Sequence, residues 1–471
     1  MEYISVFDML KIGVGPSSSH TLGPWKAALE FIKIIQHEDR LSQLNKIQIH
    51  LYGSLSLTGK GHATDIAVLL GLCGFQPDVF PTNLIAETID NIKNSKQINI
   101  NQKKIISFII NSDIVFEQIF LPFHPNGIKF EAYFDSGEIL TEKYYSIGGG
   151  FVIQENVQAA TNQINPFPFP IETSSQLLNY CKSFNKNISQ IVAENEKSLR
   201  SEQLIDQELS KIWQVMLACM YDGCHTPGIL PGGLHVKRRA FDLHAQLLPH
   251  NENENAQSWF EAIRKLNLNF KQIMSWISCW ALAVNEVNAS LGRVVTAPTN
   301  GSAGVIPAVL MYYLCFENKL AGFEEIKKYF FVCGEIGSIF KKGSTISAAA
   351  GGCQAEIGVS SAMAAAGLCD LFGGTPEQVL MAAEIAMEHH LGLTCDPIKG
   401  LVQIPCIERN TMGATKAIQA AILAFQSDAK VALVSLDEVI KTMWLTAQDM
   451  NIKYKETSTG GLALAVNMIN C

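Results

Sequence analysis

The pattern of strand and helix signals changes near residue 165, and this change constrains the fold more than any other feature. Before it, segments rich in β-branched and aromatic residues alternate with helical periodicity, which predicts helices packed on a largely antiparallel sheet. The segment NPFPFPI at 165–171 carries three alternating prolines and predicts a stiff, extended connector. After it, strand signals nearly vanish. The sequence therefore predicts an α+β domain over 1–160, a Pro-rich linker over 161–171 and an all-α domain over 172–471.

Both predicted domains contain several regular elements. In the first, strands are predicted over 47–53, 116–123, 128–135 and 139–152, and helices over 22–35 and 62–72. In the second, helices are predicted over 174–220, 259–291, 303–316 and 375–390. The Ala-rich run over 346–368 contains Gln354 and Glu356, so it predicts a buried helix with a site in it rather than a membrane span.

Composition and charge argue against several classes of function. The formal net charge is -8 and the basic residues are scattered, so no nucleic-acid-binding surface is expected. The 12 cysteines form no dense framework, which predicts reduced thiols and a cytoplasmic protein. The N-terminus lacks the apolar segment of a signal peptide, and the most apolar later run is too short to span a bilayer. No membrane partner is expected.

Three cysteines, Cys353, Cys395 and Cys406, stand close to Gly or Pro, where the backbone can leave a helix and turn a thiol inward. Their spacing differs from that of a zinc ribbon or a bacterial ferredoxin, although distant thiols can converge in a fold. A four-iron cluster held by only three cysteines leaves one iron open as a Lewis acid. From spacing alone, metal ligands and ordinary buried thiols both remain possible.

The stretch GPSSSHTLGPW places five hydroxyl and imidazole residues just before a helical pattern: Ser17, Ser18, Ser19, His20 and Thr21. Ser and Thr at this place act as N-caps. Free backbone N–H groups and the helix dipole also make such an end a site for an anion. Three consecutive serines exceed what capping requires, and both interpretations remain open.

The segment GSLSLTGKGHATD at 53–65 has the look of a phosphate loop, but Lys60 is followed by Gly61 rather than Ser or Thr. No nucleotide site is therefore predicted. His62 and Thr64 stand at a Gly-flanked helix start. A helix N-terminus disfavours imidazolium, which favours a neutral ring competent as a base, while a structural histidine remains the alternative.

Two further segments combine turn chemistry with polar side chains. His124 and Asn126 lie in FHPNGIKF, where Pro-Asn-Gly predicts a hairpin turn. Thr299 and Asn300 lie in TAPTNGSAG at a helix entrance, where an N-cap is expected.

Taken together, the motifs GCQAEIGVSSAMAAAG, LGLTCDPIKGLVQIPCIERN and GPSSSHT resemble the single-chain bacterial iron–sulfur L-serine dehydratases. The resemblance covers nearly the whole chain, with several long motifs in the expected order. It implies conversion of L-serine to pyruvate and ammonia by a homodimer, with a [4Fe-4S] cluster on Cys353, Cys395 and Cys406 and no pyridoxal phosphate. The chain departs from the family at Ala350, where the family carries Glu in AEVGCQGE.

The resemblance also implies roles for residues of both domains. It points to His62 as an active-site residue, which we interpret as the general base that removes the Cα proton. It implies that a larger set binds substrate: Ser17, Ser18, Ser19, His20, Thr21, Thr64, His124, Asn126, Thr299 and Asn300. With the base in one domain and the cluster in the other, the active site is predicted to lie between them.

The final residue, Cys471, follows the apolar run LALAVNMIN. A terminal cysteine offers a thiolate and an α-carboxylate, two groups that resemble those of serine. The family points to the same role for a terminal cysteine that matches Cys471. We therefore expect the tail to ligate the cluster at rest and to act as an internal inhibitor that serine displaces.

Three alternatives remain at this point. The chain could be a cluster-dependent hydro-lyase acting on another hydroxy acid. It could be a pyridoxal-phosphate enzyme with Lys60 as the Schiff base. It could also be a redox-sensing or small-molecule-binding regulator. Iron and labile sulfide contents separate the cluster from pyridoxal phosphate, and a pyruvate assay with L-serine separates an enzyme from a sensor.

Overall fold

The computed structural model describes residues 2–37, 40–155, 166–248 and 254–467. In the first part the strands are β1 Ile12–Val14, β2 Leu44–Leu51, β3 Gln97–Ile100, β4 Lys104–Ser107, β5 Ile114–Phe116, β6 Gly127–Phe134, β7 Ile139–Ser146 and β8 Val152–Gln154. The helices there are α1 Val6–Met9, α2 Gly23–His37, α3 Ser54–Leu57, α4 Thr64–Leu72, α5 Ile85–Ser95 and α6 Ile110–Asp113.

The second part is almost entirely helical in the residues that the structure describes. Its elements are α7 Ser174–Phe184, α8 Ile188–Lys197, α9 Glu202–His225, α10 Ala240–Leu247, α11 Ala256–Arg264, α12 Phe270–Asn288, β9 Arg293–Val295, α13 Val305–Tyr312, α14 Phe323–Gly343, α15 Ala348–Gly351, α16 Ile357–Leu371, α17 Pro376–Glu388, α18 Cys406–Phe425, α19 Leu436–Asp449 and α20 Leu462–Asn467. None of the described helices combines the length and apolarity that crossing a bilayer requires.

Five strands form the main sheet in the order β5-β2-β6-β7-β8. Only the β2–β5 pairing is parallel. Helix α2 packs on this sheet, and its Phe31 ring stacks on Phe130 of β6 at 4.9 Å between centroids. Helices on a mainly antiparallel sheet, followed by a helical part, confirm the predicted fold class.

Two strand predictions needed correction. The strand predicted over 116–123 ends at Phe116, and a loop follows in which Pro122 and Pro125 lack the N–H group that a sheet requires. The strand predicted over 139–152 divides into β7 and β8, because the glycines at 148–150 all adopt positive φ and turn the chain.

The predicted helix over 174–220 is three helices, α7, α8 and α9. Each begins at a residue whose side-chain oxygen accepts a backbone N–H bond from the first turn, namely Thr173, Asn187 and Ser201. Such caps bind the backbone N–H groups that have no partner at a helix start. Each cap therefore marks the start of a new helix.

The centre of the helical part is α16, whose residues from Ile357 to Cys369 are all buried. Helices α14, α17 and α18 pack around it. Small residues let these helices approach closely: a Cβ on Gly367 would lie 2.7 Å from the Tyr329 ring of α14. The Ala-rich run is buried as expected, but it is not one helix: it divides into α15, a 3-10 turn over Cys353–Ala355 and α16, with Gly352 at positive φ after α15.

Contacts at several places join the two parts of the chain. Strand β1 pairs antiparallel with β9, which places Ile12 opposite Val295. Ile4 and Val6 pack into the hydrophobic core of the helical part. The loop at Gly148 touches the helical part so closely that a Cβ there would lie 2.6 Å from the Ile346 carbonyl oxygen. Of the predicted linker, residues 161–165 lie outside the described residues.

Candidate active site

The segment from Ser17 to Thr21 is fully buried at the start of α2. Its first turn is a π-helical turn, and the Ser17 hydroxyl accepts the His20 N–H at 3.1 Å, so Ser17 caps the turn. The Ser17 and Ser19 hydroxyls lie 3.2 Å apart. The Ser18 hydroxyl is buried and has no partner among the described residues. Capping therefore uses Ser17 and leaves Ser18 free for a ligand.

His62 lies in the turn before α4 and is stacked on His20, with 4.4 Å between ring centroids. Two crossed hydrogen bonds join these segments. The Thr21 hydroxyl donates to the His62 carbonyl at 2.7 Å, and the Thr64 hydroxyl donates to the His20 carbonyl at 2.6 Å. Thr64 therefore acts on the backbone of the site, and the histidines are held as one unit.

Burial sets the charge state of both rings. It lowers the pKa of His62 to about 4, against a smaller opposing effect of the hydrogen bond to the Thr58 carbonyl. Burial also lowers the pKa of His20, and the neighbouring His62 adds to the effect. His62 is therefore neutral near pH 7, as the sequence indicated, but the main cause is desolvation rather than the helix N-terminus.

A buried carboxyl that the sequence reasoning missed lies against both imidazoles. The Oε1 atom of Glu456 is 3.4 Å from His62 Nε2 and 3.5 Å from His20 Nδ1. Burial raises the pKa of Glu456 well above its ordinary value, and the nearby charges of Glu356 and Cys353 raise it further. In the sequence KETSTGG the residue has the signature of a polar turn, so only the tertiary structure shows its place.

The three cysteines come from three different segments. Cys353 lies in a short 3-10 turn before α16, Cys395 in the loop after α17, and Cys406 at the start of α18. All three are buried. One ligand atom each from Cys353, Cys395 and Glu356 lies within 4.8 Å of the others. Cys406 is not part of that tight group, but it lies close enough for the charge of Cys353 to raise the pKa of Cys406 and for the charge of Cys406 to raise the pKa of Cys395.

Arg409 gives this group a positive charge. Its guanidinium donates to Cys353 Sγ at 3.2 Å and to the Thr394 carbonyl at 2.6 Å. The hydrogen bond from Cys395 and the charge of Arg409 lower the pKa of Cys353 to about 6 despite burial. Cys353 thus favours its thiolate, the form that binds metals. The hydrogen bond with Cys353 raises the pKa of Cys395, and burial raises the pKa of Cys406, both well above the ordinary value. Arg409 follows Cys406 by one helical turn, a spacing that could have indicated it from sequence.

The carboxyl of Glu356 completes the group. Burial raises its pKa to about 8, and the Cys353 charge adds to the effect. The Thr299 side chain hydrogen-bonds Glu356, which brings Thr299 to the cysteines. A Cβ on Gly301 would lie 2.9 Å from Glu356 Oε2, so only glycine fits comfortably there.

Asn300, His124 and Asn126 line the junction at other points. Asn300 Nδ2 donates to the Val14 carbonyl at 3.1 Å and so links the two parts of the chain. Burial lowers the pKa of His124 to about 4, and its Nδ1 accepts the Asn126 N–H at 3.1 Å. A positive charge on His124 lowers the pKa of His20 further. The Oδ1 atom of Asn126 is buried without a partner among the described residues.

A segment that begins at Tyr454 joins the cysteines to the histidines. The Cys395 N–H donates to the Tyr454 carbonyl at 2.7 Å, and the Glu456 N–H donates to the Cys395 carbonyl at 2.8 Å. We call residues 454–456 the strap. Cys471 lies outside the described residues. Lys60, the residue of the pyridoxal alternative, is exposed and lies over the Phe116 ring.

Two family models match this chain. The model of the serine dehydratase alpha chain matches residues 183–463, and that of the serine dehydratase beta chain matches residues 5–157. The chain is 44% identical to an L-serine dehydratase of Haemophilus influenzae, over 98% of this chain and 99% of the relative. It is 43% identical to L-serine dehydratase 1 of Escherichia coli, over 98% of this chain and 99% of the relative.

A third relative, an L-serine dehydratase of Streptomyces coelicolor, is 45% identical over 99% of this chain and 100% of the relative. The matched regions cover both parts of the fold. The chain belongs to the serine dehydratase family, with its alpha and beta portions in one polypeptide.

Proposed function

We propose that this chain is an L-serine ammonia-lyase, which converts L-serine to pyruvate and ammonia. One observation supports this above the others: a neutral, buried imidazole and a group of three buried thiols share one site, joined by the strap. Removal of a Cα proton requires a base, and loss of a β-hydroxyl requires an electrophile. The site offers a candidate for each.

The cysteines fit a [4Fe-4S] cluster by their chemistry. The charges of the three buried thiols act on one another, and Arg409 favours the thiolate of Cys353, which such a cluster requires. We propose Cys353, Cys395 and Cys406 as its ligands. When bound, a cluster with three cysteine ligands supplies an open iron that acts as a Lewis acid toward the substrate hydroxyl.

His62 is the proposed general base. Its Nδ1–H donates to the Thr58 carbonyl at 3.0 Å, so the lone pair of the neutral ring is on Nε2. Nε2 points toward the centre of the site, where Glu456 also lies. In the reaction the Cα–H bond breaks, the proton goes to Nε2, and the electron pair forms the Cα–Cβ double bond as the β-hydroxyl leaves with the electrons of the C–O bond. The aminoacrylate that results tautomerises and is hydrolysed by water to pyruvate and ammonia.

The substrate carboxylate is proposed to bind at the Ser17–Thr21 turn. The free Ser18 hydroxyl supports this, because a buried donor without a partner is costly unless a ligand satisfies it. Thr299, with its contact to Glu356, is proposed to bind substrate from the side of the cysteines. Half-buried His124 offers a further imidazole, buried Asn126 offers an amide, and Asn300 links the two parts of the chain at the junction.

Cys471 is proposed to occupy the site at rest. Helix α20 begins beside the cysteines, since the Leu462 N–H donates to Asp396 Oδ2 at 2.6 Å. Cys471 follows the end of α20 at Asn467 closely enough that an extended chain would reach roughly 14 Å. We further propose a cytoplasmic homodimer, in line with the family resemblance.

The test is anaerobic purification, with measurement of iron, labile sulfide and pyruvate formation. L-serine is expected to yield pyruvate, and other β- and α-hydroxy acids to react far more slowly. Replacing Cys353 by alanine should abolish both the cluster and the activity. Cys369→Ala, a buried cysteine on α16 away from the site, is the matched control and should keep both. A protein with iron but no lyase activity would favour a redox-sensing regulator.

A further inference from the structure

A cavity that shares no lining residue with the candidate active site opens where the two parts of the chain meet. Its volume is about 490 Å³, within the range of roughly 300–1,000 Å³ that small-molecule sites occupy. Its walls come from α1, β1 and α2, from the loop after α4 and from α9. A molecule bound in this cavity would therefore touch both parts of the chain.

Two lysine side chains that line the cavity each bind the carbonyl group of a glycine. Lys11 Nζ donates to the Gly149 carbonyl at 3.2 Å, and Lys26 Nζ donates to the Gly150 carbonyl at 3.3 Å. Because the two acceptors belong to adjacent residues, the two ammonium groups are neighbours. An ammonium has three N–H donors and one carbonyl uses a single donor, so both lysines can bind a further acceptor.

Neither ammonium has a direct carboxylate partner in the part of the chain that the structure describes. Lys11 Nζ lies instead 3.4 Å from the centroid of the Phe151 ring. Burial lowers the pKa of Lys11 well below its ordinary value, and the charge of Lys26 lowers it further. Burial also lowers the pKa of Lys26. Two neighbouring cations that are partly removed from water are costly unless an anion joins them.

The acidic residues of the cavity do not fill this role. Asp8 accepts a backbone N–H at 3.1 Å in the capping box of α1, and Glu30 accepts from Lys33 at 2.6 Å. Asp78 is exposed, and its charge acts on Lys26 without a direct contact. The two ammonium groups are therefore available to an anion from solution.

Apolar side chains form another part of the wall, among them Leu10, Leu29 and Ile212. We propose that the cavity binds a small organic anion, whose carboxylate or phosphate group bridges Lys11 and Lys26 and whose carbon skeleton packs on these apolar side chains. Oxygen atoms of either group can accept charge-assisted hydrogen bonds from both ammonium groups at once.

The two lysines connect this cavity to a loop beside the candidate active site. The glycines at 148–150 pack on the helical part, and a Cβ on Gly149 would lie 3.2 Å from the Pro298 carbonyl oxygen. Pro298 directly precedes Thr299. A bound anion would hold the lysines, the glycine loop and α9 together, so it is expected to stabilise the junction and to raise the thermal unfolding midpoint.

The experiment measures binding to the full chain by calorimetry with three probes that share one carbon chain. Butyrate carries a carboxylate, monobutyl phosphate carries a phosphate, and 1-butanol carries no charge. At least one anion is expected to bind saturably with a Kd on the order of 1 mM or tighter, and 1-butanol at least about 10-fold more weakly. The anion that binds more tightly identifies the preferred head group.

Three variants test the assignment of the lysines. Lys11→Gln and Lys26→Gln each remove one charge and keep an N–H donor, and each is expected to weaken anion binding by about 10-fold or more. Using both variants keeps the test decisive if one of them fails to fold. Lys33→Gln is the matched control, because Lys33 lines the same cavity but is exposed and already paired with Glu30. Its affinity should stay within about 2-fold of the parent.

Three outcomes would overturn the proposal. They are the lack of saturable binding by either anion, binding of 1-butanol as tight as that of the anions, and an unchanged anion affinity in a folded Lys11→Gln or Lys26→Gln protein. The measurement requires neither a cluster nor lyase activity, so its result is independent of the function proposed above.

Discussion

At the scale of single residues, the chemistry depends on burial. His62, His20 and Glu456 have only a few per cent or less of their surface exposed, and each is shifted toward its neutral form. Cys353 is equally buried but shifts toward its charged form, because Cys395 and Arg409 donate to it. The same apolar surroundings thus hold a neutral imidazole and one thiol, Cys353, that favours its charged form.

Replacing His62 by alanine is expected to lower kcat by roughly 10²–10⁴-fold, because the proton acceptor is lost. Iron and sulfide contents should stay at the parent level. His390→Ala is the matched control. His390 is also buried, donates Nδ1–H to the carbonyl of Ala386, and has a pKa lowered to about 4 by burial, yet no role is proposed for it.

The pH profile gives a second measurement of the same assignment. A base with a pKa of about 4 is neutral above that value, so kcat/KM should not fall with acid until the pH approaches the same range. An acidic limb centred near 6.5, the ordinary histidine value, would contradict a buried neutral His62. If kcat of the His62→Ala variant fell by only a few-fold, His62 would have a structural role and would not be the base.

At the scale of elements, the first turns of α18 carry much of the site. Cys406 begins this helix, and Arg409 and Asn410 follow it one turn later. Together they supply a proposed ligand, a positive neighbour and a structural amide. Asn410 Nδ2 donates to the Gly301 carbonyl at 2.7 Å, and its Oδ1 accepts the Gly304 N–H at 3.1 Å. One helix thus orders the loop that holds Thr299.

Replacing Asn410 by alanine is expected to leave the Gly301 carbonyl and the Gly304 N–H buried without partners. Each such group costs about 1–3 kcal/mol, so the thermal unfolding midpoint should fall by several degrees. Met412→Ala, at a half-exposed position two residues later on the same helix, is the matched control. An Asn410→Ala midpoint equal to that of the control would show that the two groups find other partners.

Part of this site could be predicted from sequence because local chemistry marks it. Gly and Pro flank the cysteines, and hydroxyl residues gather before α2, so both segments were found without the fold. Glu456 was missed because its place beside the histidines depends on backbone pairing with Cys395, far away in the sequence. The break of the strand predicted over 116–123 was missed because its apolar residues outweighed its single proline, Pro122.

At the scale of the whole molecule, the site exists only where the two parts meet. The strap, the β1–β9 pairing and the Asn300 link each cross this junction. The proposed base comes from the first part and the proposed ligands from the second. The fold class and its order along the chain were predictable from periodicity, but the junction depends on long-range contacts that no local pattern records.

Replacing Cys471 by alanine is expected to lower the apparent KM for L-serine or to abolish a lag, because the substrate would no longer compete with the tail. Loss of the cluster in air should be faster, since an exposed iron would lack its protecting thiol. Anaerobic kinetics and iron content after timed exposure to air are the measurements. Cys315→Ala, a buried cysteine on the helical side, is the control. Unchanged kinetics and unchanged oxygen sensitivity would contradict the role of the tail.

The β1–β9 pairing also has a consequence for how the protein is made. During synthesis, Ile12–Val14 leaves the ribosome long before Arg293–Val295, its partner, has been translated. The five-stranded sheet can form early, but the segment that carries Ser17 and His20 must wait for contacts that span most of the chain. Contacts of such long sequence separation slow folding. The active site is therefore expected to be among the last regions of the molecule to become ordered.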